Sequence, residues 1–140
     1  MADIIWNAFK ANIMNGGIDL DTDDIKVALV TSTFAPNQDT EEDFADVTNE
    51  VVGTGYTAGG ASLANDAVTI DDTDNEGVYD ADDITWSTST ITARGAVVYY
   101  DSGVDATSLL ICYLDFSTDQ TSTAGDFTIS WNAEGILNLN

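Results

Sequence analysis

The sequence predicts a mainly β protein: an antiparallel, jelly-roll-like β-sandwich with one short N-terminal α-helix. Three observations lead there. Helical periodicity is confined to the first 17 residues. Beyond them, short stretches rich in β-branched and aromatic residues recur along the chain. Clusters of Asp, Asn, Ser, Thr and Gly separate those stretches, as turns between strands do.

The helix is expected over about residues 3–15. Asp3 can cap it, Gly16-Gly17 can end it, and Ile5, Trp6, Phe9 and Ile13 fall on one side. About a dozen residues of helix are marginal alone in water, so this stripe must dock, on its own domain or on a neighbouring subunit. The first strand is expected at 25–31 (IKVALVT), with Ile25, Val27, Leu29 and Thr31 on one face. Strands follow at 90–101 and 109–116, apolar on both faces and therefore central. One sheet face would pack on the second sheet, the other on the helix or a partner subunit. DFTISW (126–131) alternates, with Phe127, Ile129 and Trp131 inward, and GILNL (135–139) closes the chain. Residues 49–53, 67–70, 78–80 and 83–87 are weaker strand candidates. TSTFAPNQD and STDQTSTAGD read as turn-rich connections. Residues 1–140 are expected to form a single domain, large enough to bury a core without metal or disulfide.

Charge excludes whole classes of function. Three basic residues stand against 25 acidic ones, with no histidine and a net charge of −22. Lys10, Lys26 and Arg94 cannot neutralise a nucleic-acid backbone, and the same repulsion disfavours an anionic membrane surface. Cys112 is the one cysteine and lies in an apolar run, which predicts a buried thiol and no intrachain disulfide. The first residues lack the basic and long apolar segments of a signal peptide, so secretion is not expected. No apolar run reaches the length that spans a bilayer.

Residues 71–83, DDTDNEGVYDADD, carry seven carboxylates in thirteen residues. Asp72, Asp74, Glu76 and Gly77 fit positions 1, 3, 5 and 6 of a calcium loop, with Asp83 at position 12. That last position calls for a longer glutamate, and the flanks VTI and ITWS are β-like rather than helical. The expected reading is a hydrated turn with no metal, Asp72, Asp74 and Glu76 being the candidate ligands if an ion is held. DLDTDD (19–24) reads the same way, and a calcium ion shared by the two acidic segments requires that they meet in space.

GTGYTAGG (53–60) lacks the Lys-Ser/Thr of a phosphate loop, so its glycines are expected to serve backbone conformation, with Tyr56 packing nearby. Without histidine, Ser-His-Asp and Cys-His catalysis cannot be built, and one cysteine cannot make a zinc site. Of the many carboxylates, Asp101 and Asp115 at strand ends come nearest to an acid–base pair, but strand-end aspartates chiefly form turns. No enzyme activity, catalytic residue or cofactor is expected. Trp86, Trp131, Tyr99, Tyr100 and Tyr113 suit a core, a sugar platform or a subunit interface. Adjacent Tyr99 and Tyr100 must point to opposite faces. Trp6, Phe9, Tyr99 and Tyr100 are the interface candidates.

Taken in order, IDLDTDDIKVALVTSTF, GTGYTAGGASL, YDADDITWSTSTITARGAVVYYDSG, LLICYLDF and GDFTISWNAEGILNL resemble a group of small acidic structural proteins of tailed bacteriophages, of the capsid decoration or cement type. The resemblance covers nearly the whole chain and is most specific in GYTAGG (55–60) and in residues 82–101. It departs at Gly95, where a bulky residue is expected after TAR. It implies a virion protein on the outer surface of the head that binds the major capsid protein, stabilises capsomer contacts and forms a dimer or trimer. Nucleic acid and membrane are not partners. A tail-associated structural protein and a calcium-assisted carbohydrate-binding module for host attachment are the alternatives.

Overall fold

The computed structural model describes residues 3–140. The chain runs β1 (Ile4–Ile5), α1 (Asn7–Asn15), β2 (Ile25–Val30), β3 (Ala61–Ser62), β4 (Ala67–Asp71), β5 (Glu76–Asp80), β6 (Ile84–Tyr100), β7 (Leu110–Ile129) and β8 (Leu137–Leu139). Two antiparallel sheets result, one in the order β1-β7-β6-β2-β3 and the other β4-β5-β8. They form an open, sandwich-like pair, with the helix near the N-terminus, so the mainly β, antiparallel sandwich class is the one the sequence predicts.

The five-stranded sheet is built on the β6–β7 hairpin. Its inner half, Gly95–Tyr99 against Leu110–Asp115, is flanked by β2 and β1. Apolar side chains cover both faces there. On one face Ile25, Val27, Leu29, Val98, Ile111 and Cys112 join a core completed by the small sheet (Tyr79, Leu137) and by Phe9 of α1. On the other, Ala28, Val30, Val97, Leu110 and Tyr113 meet Trp6, Phe34 and Phe44.

This corrects one expectation. The helix and the second sheet lie on the same side, and the opposite face is sealed by the 31–47 loop. Phe44 stacks on Tyr99 with ring centroids 4.1 Å apart, and Phe34 meets Tyr113 edge-on at 5.9 Å. The burial of both faces follows from a strand run with no polar alternation.

The helix begins later than expected, at Asn7. Ile4 and Ile5 pair with Tyr113 and Cys112 instead, and Asp3 caps nothing: its carboxylate accepts a hydrogen bond from Asp115 N at 2.6 Å. A sheet edge offering backbone partners outweighs the modest helix propensity of two isoleucines. Trp6 accordingly leaves the helical stripe and points to the opposite core. The helix end is as expected, with Gly16 left-handed at φ 77.

STDQTSTAGD is strand rather than turn. Residues 83–87 and 90–101 merge into one long strand, as do 109–116 and 126–131. Thr and Ser are good strand residues where one face is wet. Here hydroxyls pair across the ladder: Thr92 with Thr121 at 3.0 Å, Thr85 with Thr128 at 2.8 Å, and buried Ser89 with Ser122 at 2.7 Å. The turn-like residues become bulges, marked by register shifts and by positive φ at Thr88, Ser117 and Ala124.

Residues 49–53 make a single bridge, Val30 with Glu50, and no strand. At Gly95, a Cβ would come within 2.5 Å of the Tyr113 ring, so the absent side chain is replaced by a tyrosine from the neighbouring strand.

Candidate functional site

The acidic stretch forms the β4–β5 hairpin. Asp71 accepts from Thr73 N at 2.7 Å and Asp74 N at 3.2 Å, and Asn75 takes φ 60, so local side-chain and backbone chemistry closes the turn. β5 pairs in turn with β8, which brings in Glu134 from the preceding loop. Carboxylate oxygens of Asp74, Glu76 and Glu134 all lie within 4.8 Å of one another. Asn138 holds this corner, donating from Nδ2 to Glu76 Oε1 at 2.5 Å and to the Glu134 carbonyl at 2.8 Å.

Of the sequence candidates, Asp74 and Glu76 come together and Asp72 does not join them. Asp83, at position 12 of the calcium pattern, accepts from Trp131 N at 3.0 Å and takes no part. Glu134 was missed because nothing local in the sequence links it to residue 76; the β5–β8 pairing does. The three carboxylates can offer oxygen ligands to a hard cation. In water, a pair of unit charges 4.8 Å apart repels by only ~0.9 kcal/mol. Asp74 and Glu134 are exposed and Glu76 half-buried, so solvent and counterions suffice to screen them. DLDTDD touches the small sheet through Asp21, which accepts from Val68 N at 3.2 Å, but contributes no carboxylate to the cluster.

The aromatic candidates are placed as follows. Trp6 is fully buried and donates from Nε1 to Glu41 Oε2 at 3.1 Å; Phe9 is buried in the core beneath α1. Tyr99 is buried too, its hydroxyl donating to the Gly59 carbonyl at 2.6 Å, and burial holds its phenol well above the usual range. Tyr100 faces the other way and is half-buried. As the chain is folded, Trp6, Phe9 and Tyr99 contact its own interior, and of the four interface candidates Tyr100 alone keeps a partly open side chain.

The strand-end acids have structural work. Asp101 accepts from Lys26 Nζ at 2.7 Å and from Gly103 N at 2.8 Å. The Lys26 hydrogen bond holds its carboxyl below the usual range, the opposite of what a general acid requires. Asp115 accepts from Ser117 N at the bulge. The Cys112 thiol is pushed up to about 12 by complete burial, which makes it a core residue rather than a nucleophile.

GTGYTAGG locks a loop onto β2. Tyr56 Oη accepts from Leu29 N at 2.9 Å and donates to Glu50 Oε1 at 2.6 Å, while Gly60, at φ 75, lies so close to the Val27 carbonyl that any Cβ would overlap it.

A second feature adjoins the acidic corner. An apolar groove of about 560 Å3 runs between α1 and the small sheet, bordered by Phe9, Ile13, Val68, Tyr79, Leu137 and Leu139. Among the described residues, no helix is long and apolar enough to cross a membrane. Comparison of the chain with protein-family models, curated proteins and solved structures gives no match in any of the three.

Proposed function

We propose that this chain is a structural protein of a tailed-bacteriophage virion, a capsid decoration or cement protein. It binds the major capsid protein on the outer surface of the head and stabilises capsomer contacts as a dimer or trimer.

The observation that carries the reading is where the most specific resembling residues stand. Residues 82–101 supply β6, the strand between β7 and β2, and GYTAGG supplies the loop whose glycines and tyrosine clamp β2. Both segments build the scaffold. Such a scaffold suits a protein whose task is to persist and adhere. A net charge of −22 keeps it clear of packaged nucleic acid and limits clumping of particles. Exposed apolar side chains beside α1 offer the adhesive surface.

A tail-associated position is the near variant, and mass spectrometry of purified virions separates the two. A copy number close to that of the major capsid protein supports decoration of the head; a handful of copies assigns the chain to the tail; absence from the particle ends the proposal. A calcium-assisted carbohydrate-binding module is the second reading, favoured by the convergence of Asp74, Glu76 and Glu134.

A further inference from the structure

The small sheet carries an apolar row that its own chain leaves open. Val68, Tyr79 and Leu137 are in register across β4, β5 and β8; two residues along each strand stand Ile70, Gly77 and Leu139. Strand alternation puts both rows on the same face. In the first row Tyr79 and Leu137 meet the core. The second overhangs it: Ile70 is 83% and Leu139 71% exposed. Between them Gly77 leaves a notch where a Cβ would meet nothing within 4 Å. Across the groove stands α1, with Ile13 in the wall and Met14 beside it, 82% exposed.

The rim of this groove is acidic. Asp19 lines it, and Asp21 is fastened to β4 through Val68 N. At the far end, the hollow holding Asp74, Glu76 and Glu134 shares Ile5, Leu137 and Asn138 with the groove. Lys10 is the cation on the groove, and its ammonium donates to Asn7 Oδ1 at 3.1 Å.

We propose that the groove docks an apolar segment flanked by Lys or Arg, belonging to a protein other than this chain. Charge complementarity selects that occupant: the walls call for apolar side chains and the rim for positive ones. A second copy answers this poorly. It carries three cations, of which Lys26 and Arg94 are already paired with Asp101 and Asp119, and its net charge of −22 opposes the rim. The inference deepens the virion reading by giving the partner's chemistry, and rests on that reading only for where the partner is found.

The test is a titration of the full-length, isotopically labelled chain with a short amphipathic Leu/Lys peptide, and with its Leu/Glu counterpart, at physiological ionic strength. Amide shifts are expected to cluster at Ile13, Val68, Gly77 and Leu139, with no binding of the Leu/Glu peptide. Gly77→Val puts bulk into the notch, where a Cβ meets nothing within 4 Å, and Leu139→Asn changes an exposed residue without changing charge. Each should weaken binding at least about tenfold while keeping the wild-type spectral dispersion. If Gly77→Val disturbs the fold, Leu139→Asn alone decides. Unchanged affinity in that variant, shifts scattered over the acidic loops, equal binding of the Leu/Glu peptide, or a homodimer dissociated by Leu139→Asn would each overturn the proposal. Virion copy number is independent of all these outcomes and tests the virion reading by itself.

Discussion

The two sheets are hydrogen-bonded alike but covered differently. In the five-stranded sheet, Val27, Val97, Val98, Leu110, Ile111 and Cys112 are all fully buried, and they point to both faces. In the three-stranded sheet, Tyr79 and Leu137 are buried while Ile70 and Leu139, on the same face, lie open. The strands themselves do not make this difference; what stands opposite them does. Sealing a side chain of this size stabilises a fold by about 1.5–3 kcal/mol. The large sheet, closed by α1 and the small sheet on one side and by the 31–47 loop on the other, therefore holds the molecule together. The small sheet keeps part of its apolar surface available to something else.

The sharpest way to break this contrast is to empty the face beneath the 31–47 loop. Trp6 is fully buried there, among Phe34, Phe44, Val97 and Leu110, and tied to Glu41. Trp6→Ala is expected to cost about 3–5 kcal/mol in denaturant-induced unfolding, the range for a large buried aromatic. A loss below about 1 kcal/mol would mean that this face is not a sealed core, and the comparison would fail.

A smaller effect sharpens the same contrast where β2 begins and β6 ends in the large sheet. Lys26 and Asp101 pair at 2.7 Å with side chains 28% and 19% exposed. Asp101→Asn should cost about 1 kcal/mol at neutral pH, near the upper end for an ion pair that water still reaches. The pH dependence has a definite sign. Asp101's carboxyl is held low in the folded chain, chiefly by the Lys26 hydrogen bond, so its contribution is present above the ordinary carboxylate value and lost as pH falls through the folded one. Lys26 is raised, chiefly by the same bond. Its contribution is intact below the ordinary value of 10.5 and lost as pH rises past the folded one. The stability difference between wild type and variant should thus be flat across the middle range and shrink at both ends. Taking the difference matters, because acid also relieves the general repulsion of a chain at −22.

Much of the fold was legible because its signals are local. IKVALV and DFTI alternate or run apolar as strands do, and Gly16 can only end a helix in its left-handed form. What could not be read was decided by distant partners. Asp3 resembles a cap until Asp115 N is beside it. STDQTSTAGD resembles a loop until Thr92 and Ser89 supply hydroxyl partners across the ladder. Gly95 resembles a defect until Tyr113 fills its place. The candidate site follows the same rule: Asp74 and Glu76 were visible as an acidic spacing, whereas Glu134 and the groove exist only through the β5–β8 pairing. No single segment contains that pairing.

The smallest expected effect lies on the small sheet and bears most directly on function. The hairpin turn is closed by Asp71, while Asp72 and Asp74 are exposed. Asp72→Ala together with Asp74→Ala should therefore change unfolding free energy by less than about 0.5 kcal/mol. Losing charge beside Glu76 and Glu134 offsets whatever local order is lost. The same small change is expected with calcium present and with a chelator, because a hydrated carboxylate cluster gains little from any one divalent ion. A cation that binds the folded chain alone stabilises it by mass action, by about 2.7 kcal/mol at a hundredfold excess over its dissociation constant. Such a gain in the wild type, abolished by the double substitution, would convert the open corner of the small sheet from a charged rim into a metal site. The carbohydrate-binding reading would then displace the structural one.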